Sequence, residues 1–204
     1  GEPLDLERFT AHVAAEHLPH RVMIDCTADA RIAARYAGWL RAGLHVVTPN
    51  KKANSAALAD FRRMHEARRA AGAQYFYEAT VGAGLPIILT VRDLRETGDR
   101  IREIEGILSG TLAYLFNVFD GKVAFSEVVK DAKARGLTEP DPRDDLSGMD
   151  VARKLVILGR EMGLALELDD VEVESLVPAA LRDCSIDAFL ARLPDGDAAM
   201  SARL

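Results

Sequence analysis

Cysteine is scarce. The 204 residues hold two, Cys26 and Cys184, far apart and in no C-x-x-C pair. That leaves no disulfide framework or zinc knuckle to build on and fits a reducing cytoplasm. Basic charge is not in excess: the formal net charge is -6 and no basic stripe runs along the chain, which argues against a nucleic-acid partner. No apolar run approaches the roughly 18 residues of a membrane span. The opening GEPLDLERFT has neither the basic nor the apolar region of a signal peptide, and no initiator Met, so the chain is expected to begin inside a longer protein. Internal repeats and low-complexity tracts are missing. There is no HExxH and no histidine pair on a helix face, which removes the usual transition-metal sites. The acidic stretch near residue 141 fails the calcium-loop pattern, because Arg143 stands where an acidic ligand belongs.

What is there suits a packed protein: 49% hydrophobic and 28% charged residues, enough for one large domain or two small ones. Residues 4–18 read as a helix. RVMIDCT (21–27) follows Pro19 and reads as a strand, 28–43 as an amphipathic helix stopped by Gly43, and 44–48 as a short buried strand. Residues 54–72 read as a helix capped at Gly72, and 73–80 as a third strand. Strands alternating with helices of this length predict a parallel sheet. The rhythm changes after residue 80. Pro86 opens a helix, RIREIEGILS (100–109) alternates like a sheet strand, and GTLAYLFNVF and SEVVKDAKARG read as helices. A further helix covers about 148–162, and LPDGDAAMSARL reads as a loop or frayed tail. The predicted class is α/β: a partial doubly wound domain over 1–80, then an α+β domain over 81–204.

Three constellations carry chemistry. In an open parallel sheet, ligands bind outside the carboxyl ends of the strands. Two such ends are polar here, Cys26-Thr27-Ala28-Asp29 and Thr48-Pro49-Asn50-Lys51-Lys52. The lysine pair suits phosphate or carboxylate; a solvated turn, with Thr27 or Asn54 as a helix cap, explains the same residues. VGAGLP (81–86) matches the first half of GxGxxG, but Ile87 stands at the third glycine. The same run serves as a bend whose carbonyls hold a cation, or as a plain tight loop. Finally, TEPDPRDDLSGMDVARKLVILGRE (138–161) gathers Glu139, Asp141, Asp144, Asp145 and Asp150, then turns apolar with Lys154 one helical turn after Asp150. Val151, Leu155, Leu158 and Met162 predict a core face at helical spacing. Asp150 and Lys154 fit an i,i+4 ion pair, and Asp150 fits a capping box with Ser147. They also fit a proton-transferring lysine tuned by an apolar setting and a nearby carboxylate.

HVVTPNKKANS, EATVGAGLPI, GILSGTLAYLFN and GLTEPDPRDDLSGMDVARK follow one another in the order found in homoserine dehydrogenases. Along most of residues 21–175 the chain resembles that family, most of all the dehydrogenase half of the bifunctional aspartokinase–homoserine dehydrogenases. The resemblance implies interconversion of L-homoserine and L-aspartate 4-semialdehyde with NAD or NADP, in threonine, methionine and isoleucine biosynthesis. It implies a Rossmann-like nucleotide-binding domain followed by a substrate and dimerisation domain, a homodimer, and an aspartokinase fused upstream in the parent protein. By position, Thr27 and Lys51, helped by Lys52, would meet the cofactor. Glu78 and the backbone of Val81, Ala83 and Leu85 would hold a monovalent cation, sodium by expectation, with Gly136 closing toward it. Glu139 and Asp150, with Asp145 beside them, would bind homoserine, and Lys154 would transfer the proton. The chain departs from the family in lacking the glycine fingerprint and the C-terminal return to the nucleotide-binding domain. An internal fragment is therefore expected. The alternative function is a catalytically incompetent fragment that serves as a substrate-domain or oligomerisation module.

Overall fold

The structure is a computed structural model and describes residues 5–203. Helix α1 (Leu6–Val13) begins where Asp5 accepts the Arg8 N–H at 3.0 Å. Three short strands, β1 (Val22–Ile24), β2 (His45–Val47) and β3 (Tyr75–Phe76), form a parallel sheet in the order β1-β2-β3. The connections are α2 (Ala30–Ala33), α3 (Tyr36–Arg41) and α4 (Leu58–Ala71). The single helix predicted over 28–43 is thus two, α2 capped by Asp29 and α3 carrying the buried Tyr36, Trp39 and Leu40. Helix α4 ends at Gly72, whose left-handed φ of 65° is what a C-terminal glycine supplies. Its start is four residues later than Asn54. Both carboxylate oxygens of Glu167, 109 positions on, accept the Leu58 N–H at 3.0 Å. Asn54 is not the cap.

The sheet is two-faced. Met23, Val46 and Tyr75 are buried on one side, as are Tyr36, Leu40, Leu44 and Met64. Val22, Ile24, Val47 and Phe76 alternate to the other side and are exposed, Ile24 at 68%. Parallel sheets are ordinarily covered on both faces, and among the described residues this one is covered on one.

After a 3-10 turn at Glu78–Thr80 the chain is helical: α5 (Ile87–Glu96), α6 (Gly110–Val118), α7 (Phe125–Ala134), α8 (Pro142–Leu146), α9 (Met149–Glu161), α10 (Ile186–Arg192) and α11 (Asp197–Ser201). Two compact units emerge. The described residues up to Ile104 join Arg153–Val171, and Glu105–Ala152 join the described residues from Glu172 onward. The second unit is built around Leu115, Phe119, Phe125, Val129, Leu146, Leu181 and Phe189.

Three expectations change. Residues 100–109 carry no ladder: among the described residues their backbone pairs with none of the three strands, and a strand needs a partner. The final stretch is not a frayed tail. The Asp197 carboxylate accepts the Ser126 backbone N–H at 2.7 Å and its hydroxyl at 2.6 Å, and Met200 is buried in the core. Nor does the buried stripe of α9 run through Leu155, which is 39% exposed. It runs through Ala152, Val156, Ile157 and Leu158 to Arg160 and Glu161. Gly159 permits this close packing: a Cβ there would lie 2.4 Å from Leu166 Cδ1.

Candidate active site

Beyond the carboxyl ends of β1 and β2 lies a buried polar network. Asp25, 4% exposed, accepts the Tyr36 hydroxyl, the Asn50 amide at 3.0 Å and the Thr27 N–H at 2.8 Å. The Thr48 hydroxyl donates to the Asp25 carbonyl at 2.8 Å and accepts the Asn50 N–H at 2.8 Å. Asn50 also donates to the Asp29 carbonyl at 3.1 Å, and its side-chain oxygen accepts the Lys52 N–H at 3.0 Å. Burial pushes the Asp25 carboxyl up, but the bonds from Tyr36, Thr27 and Asn50 outweigh it and hold it below the ordinary range. The same burial, with Asp25 opposite, pushes the Tyr36 phenol up. The network fixes the two loops that carry Thr27, exposed, and Lys51 and Lys52, half-buried. Parallel pairing of β1 with β2 leaves Thr27 and Lys51 at one edge of the sheet. Lys52 also lines a cavity of about 150 Å³ between α2–α3 and α4.

The VGAGLP run is settled by its neighbour. Glu78 accepts the Ile88 N–H at 2.8 Å and the Leu89 N–H at 3.0 Å, so it caps α5. A pyrophosphate would need those donors, and the half-fingerprint is not a phosphate cradle. Gly82 and Ala83 turn consecutively through positive φ, 79° and 52°. A Cβ on Gly82 would lie 2.6 Å from Ile87 Cγ1. This winding leaves the Val81 and Ala83 carbonyls outside the described backbone hydrogen bonds, while the Leu85 carbonyl accepts from Ile87 at 2.9 Å. Neutral carbonyls beside one carboxylate with lone pairs to spare form a donor set that fits a hard monovalent cation. Gly136, with φ of 70°, ends α7 in the second unit.

In the acidic block the carboxylates divide by task. Asp141 caps α8 and grips Arg143, with oxygens 2.5–3.1 Å from its guanidinium. That hydrogen-bonded guanidinium holds the Asp141 carboxyl below its usual range. Arg143 in turn donates to the carbonyls of Leu181, Arg182 and Cys184 at 3.3, 3.1 and 2.6 Å. Asp145 accepts the Glu139 N–H at 2.8 Å, which fixes that loop and leaves the Glu139 side chain exposed. Asp150 sits in the first turn of α9 and Lys154 one turn on, both half-buried. A cavity of about 510 Å³ opens beside Asp141, Asp144, Ser147 and Arg182, but none of Glu139, Asp145, Asp150 and Lys154 lines it.

Two family models match consecutive stretches of the chain: the homoserine dehydrogenase NAD-binding domain over residues 2–78 and homoserine dehydrogenase over 86–201. The chain belongs to the homoserine dehydrogenase family. A bifunctional aspartokinase/homoserine dehydrogenase of Arabidopsis thaliana chloroplasts is 58% identical over 203 residues, 98% of this chain and 22% of that protein. A Candida auris protein of unknown function superposes with a TM-score of 0.90 at 42% identity, over 100% of this chain and 58% of the other. A hyperthermophilic archaeal homoserine dehydrogenase, solved in complex with NADPH, superposes with a TM-score of 0.63 at 25% identity, over 69% and 43%. The chain thus spans about a fifth of the length of the bifunctional relatives it matches.

Asp25, Tyr36 and the partners of Glu161 carry no local sequence pattern that marks them. Glu161, 5% exposed, accepts the Tyr77 hydroxyl, and Arg92 donates to Tyr77 at 3.0 Å and to Glu161 at 3.4 Å. The available signal is the Arg160-Glu161 pair that follows the apolar run Leu155–Leu158.

Proposed function

We propose that the chain carries the dehydrogenase chemistry of its parent protein, interconverting L-homoserine and L-aspartate 4-semialdehyde with NAD or NADP. The observation that carries the reading is the pair of family models, which run in order along nearly the whole chain. Geometry adds support. Thr27 and Lys51 share the strand edge where ligands bind an open parallel sheet, and they would hold the nicotinamide cofactor, which supplies hydride exchange when bound. Glu139 and Asp150 would hold the substrate ammonium, with Asp145 positioning Glu139 through its backbone. Lys154, one turn from Asp150, would exchange the proton of the reacting hydroxyl. Glu78 and the Val81, Ala83 and Leu85 carbonyls would hold sodium as a structural brace of the turn.

In this reading residues 1–80 are part of the nucleotide-binding domain and 81–204 the substrate and dimerisation domain. Exposed Ile107, Phe116 and Val118 support a homodimer formed through the second unit. The names of its relatives support a fused aspartokinase in the parent. The free cysteines favour a reducing compartment such as the cytoplasm; among the described residues no helix is long and apolar enough to cross a membrane. The test is homoserine-dependent NADP reduction, measured on this chain and on a longer chain that restores the flanking sequence of its relatives. Activity in the longer chain, abolished by Lys154→Ala, is expected. A folded longer chain without activity refutes the proposal.

A further inference from the structure

The stripe Phe61, Arg62, His65, Arg68, Arg69 recurs at helical spacing on α4, yet it is basic where a core-facing stripe would be apolar. It faces a cavity of about 340 Å³, and α5 supplies Arg92 and Arg95 to the same cavity. Arg160, from the buried end of α9, stacks at 4.9 Å over the Phe61 ring and is held by the Asn54 and Leu166 carbonyls at 2.8 and 2.7 Å. Six arginines thus line the cavity with two carboxylates, Glu96 and Glu161; Glu161 is already bound by Tyr77 and Arg92, Arg160 also pairs with Glu167 at 3.4 Å, and Arg95 donates to the Glu161 carbonyl at 2.7 Å. Among the described residues Arg68 and Arg69 make no side-chain hydrogen bond or ion pair. The C-terminal dipole of α4 accounts for a cation at those two positions, but not for His65 or for the two arginines of α5. His65 lines the same cavity. Its ring lies 4.3 Å from that of Phe61, tilted by 48°, and its Nε2 is buried away from solvent without a hydrogen-bond partner. Burial, reinforced by the charges of Arg68, Arg69, Arg92 and Arg160, pushes its pKa down to about 4, so at neutral pH it is an uncharged ring with an N–H to donate.

We propose that this cavity between α4, α5 and the end of α9 binds a compact phosphate-bearing anion, with Arg68 and Arg69 as its direct ligands and the His65 ring as a neutral donor. Guanidinium groups match the oxygens of a phosphoryl group two at a time. Two of the arginines lie over aromatic faces of its wall, Arg160 over Phe61 and Arg92 over Tyr77 at 5.5 Å. It is separate from the strand edge of Thr27 and Lys51, so the inference stands whether or not the chain is an active dehydrogenase.

The experiment titrates the chain with inorganic phosphate and, in parallel, glycerol phosphate, against chloride at matched ionic strength. Calorimetry and the 15N-edited signals of His65 are the readouts. Saturable binding that shifts the His65 ring signals is expected. Tighter binding of the ester assigns the site to organic phosphates, and equal binding to the free ion. Arg68→Gln with Arg69→Gln should weaken binding roughly tenfold or more, since two charge-assisted bonds are lost, with the melting temperature of the unliganded chain unchanged. Lys51→Ala should leave binding as it was. The proposal is overturned if phosphate does no more than chloride, if the double variant binds as well as the parent, or if Lys51→Ala removes the binding.

Discussion

Replacing Tyr36 by Phe removes one hydroxyl from a fully buried ring and nothing else. That hydroxyl donates to the Asp25 carboxylate, which Asn50 and Thr27 also serve, and lies 2.9 Å from the Thr48 hydroxyl. A hydrogen bond to a charged group contributes about 1.5–3 kcal/mol, and a carboxylate this buried belongs in the upper half of that range. With a urea slope of about 2 kcal/mol per molar, the unfolding midpoint should fall by about 1 M. Trp39, the chain's one tryptophan, lies 5.7 Å from the Tyr36 ring and reports unfolding of the first unit. Tyr75 supplies the control. Its ring is 5.8 Å from that of Tyr36 and its hydroxyl is buried without a partner, so Tyr75→Phe should cost nothing or stabilise slightly. The effect of Tyr36→Phe also depends on pH in a defined direction. Asp25 is depressed in the folded state, so its contribution is present above the unfolded carboxyl value of about 3.9 and is lost as pH falls through its lower folded value. The gap between Tyr36→Phe and parent should therefore narrow below about pH 4. Equal losses for the two Phe variants at neutral pH would refute the argument, because burial alone would then explain both.

Gly82→Ala should destabilise the chain by about 1–3 kcal/mol, the range for a strained left-handed residue, since its Cβ also meets Ile87; a thermal melt unchanged from the parent would contradict this. His65 should make the first unit less stable on acidification. Its folded pKa of about 4 lies below the unfolded value, so stability is lost as pH drops from about 6.5 to 4 and is flat below; His65→Phe should flatten that slope in urea titrations. In a longer, active chain Lys154→Ala should lower turnover by roughly 10²–10⁴ with the fold intact. Near-normal turnover would reduce Lys154 to a structural helix residue.

The parts of this fold that follow a local period were legible. The alternation of short strands and helices gave the parallel sheet, and Gly72 marked the end of α4 because a left-handed C-terminal residue is a local requirement. What escaped depends on partners distant in sequence. Asn54 was a sensible local cap, but Glu167 supplies the acceptors at Leu58. LPDGDAAMSARL is rich in Gly, Asp and Ala and reads as a loop or frayed tail, yet Asp197 and Met200 anchor that end to α7 and the second core. The candidate site divides the same way. Its chemical types and their spacing were readable, whereas the division of labour was not. Five carboxylates in a row do not announce that Asp141 is committed to Arg143 and Asp145 to the Glu139 backbone.

The far end of α9 explains why a lysine can be carried on this helix at a defined place. A surface helix held only by an i,i+4 pair is worth a few tenths of a kcal/mol and frays at its termini. Here the C-terminal turn is fixed from three directions: Arg160 by the Asn54 and Leu166 carbonyls, Glu161 by Tyr77 and Arg92, and the Glu161 carbonyl by Arg95 at 2.7 Å. Rise along an α-helix is about 1.5 Å per residue, so anchoring Arg160 sets the height of Lys154 six residues before it. A group that must meet a reacting hydroxyl within hydrogen-bond reach needs that kind of support from residues that never touch the substrate. The anchored polar end of α9 is therefore the structural counterpart of the lysine proposed to transfer the proton near its start, and Tyr77→Phe, which loosens Glu161 at that end, should lower turnover in the longer chain more than it raises KM.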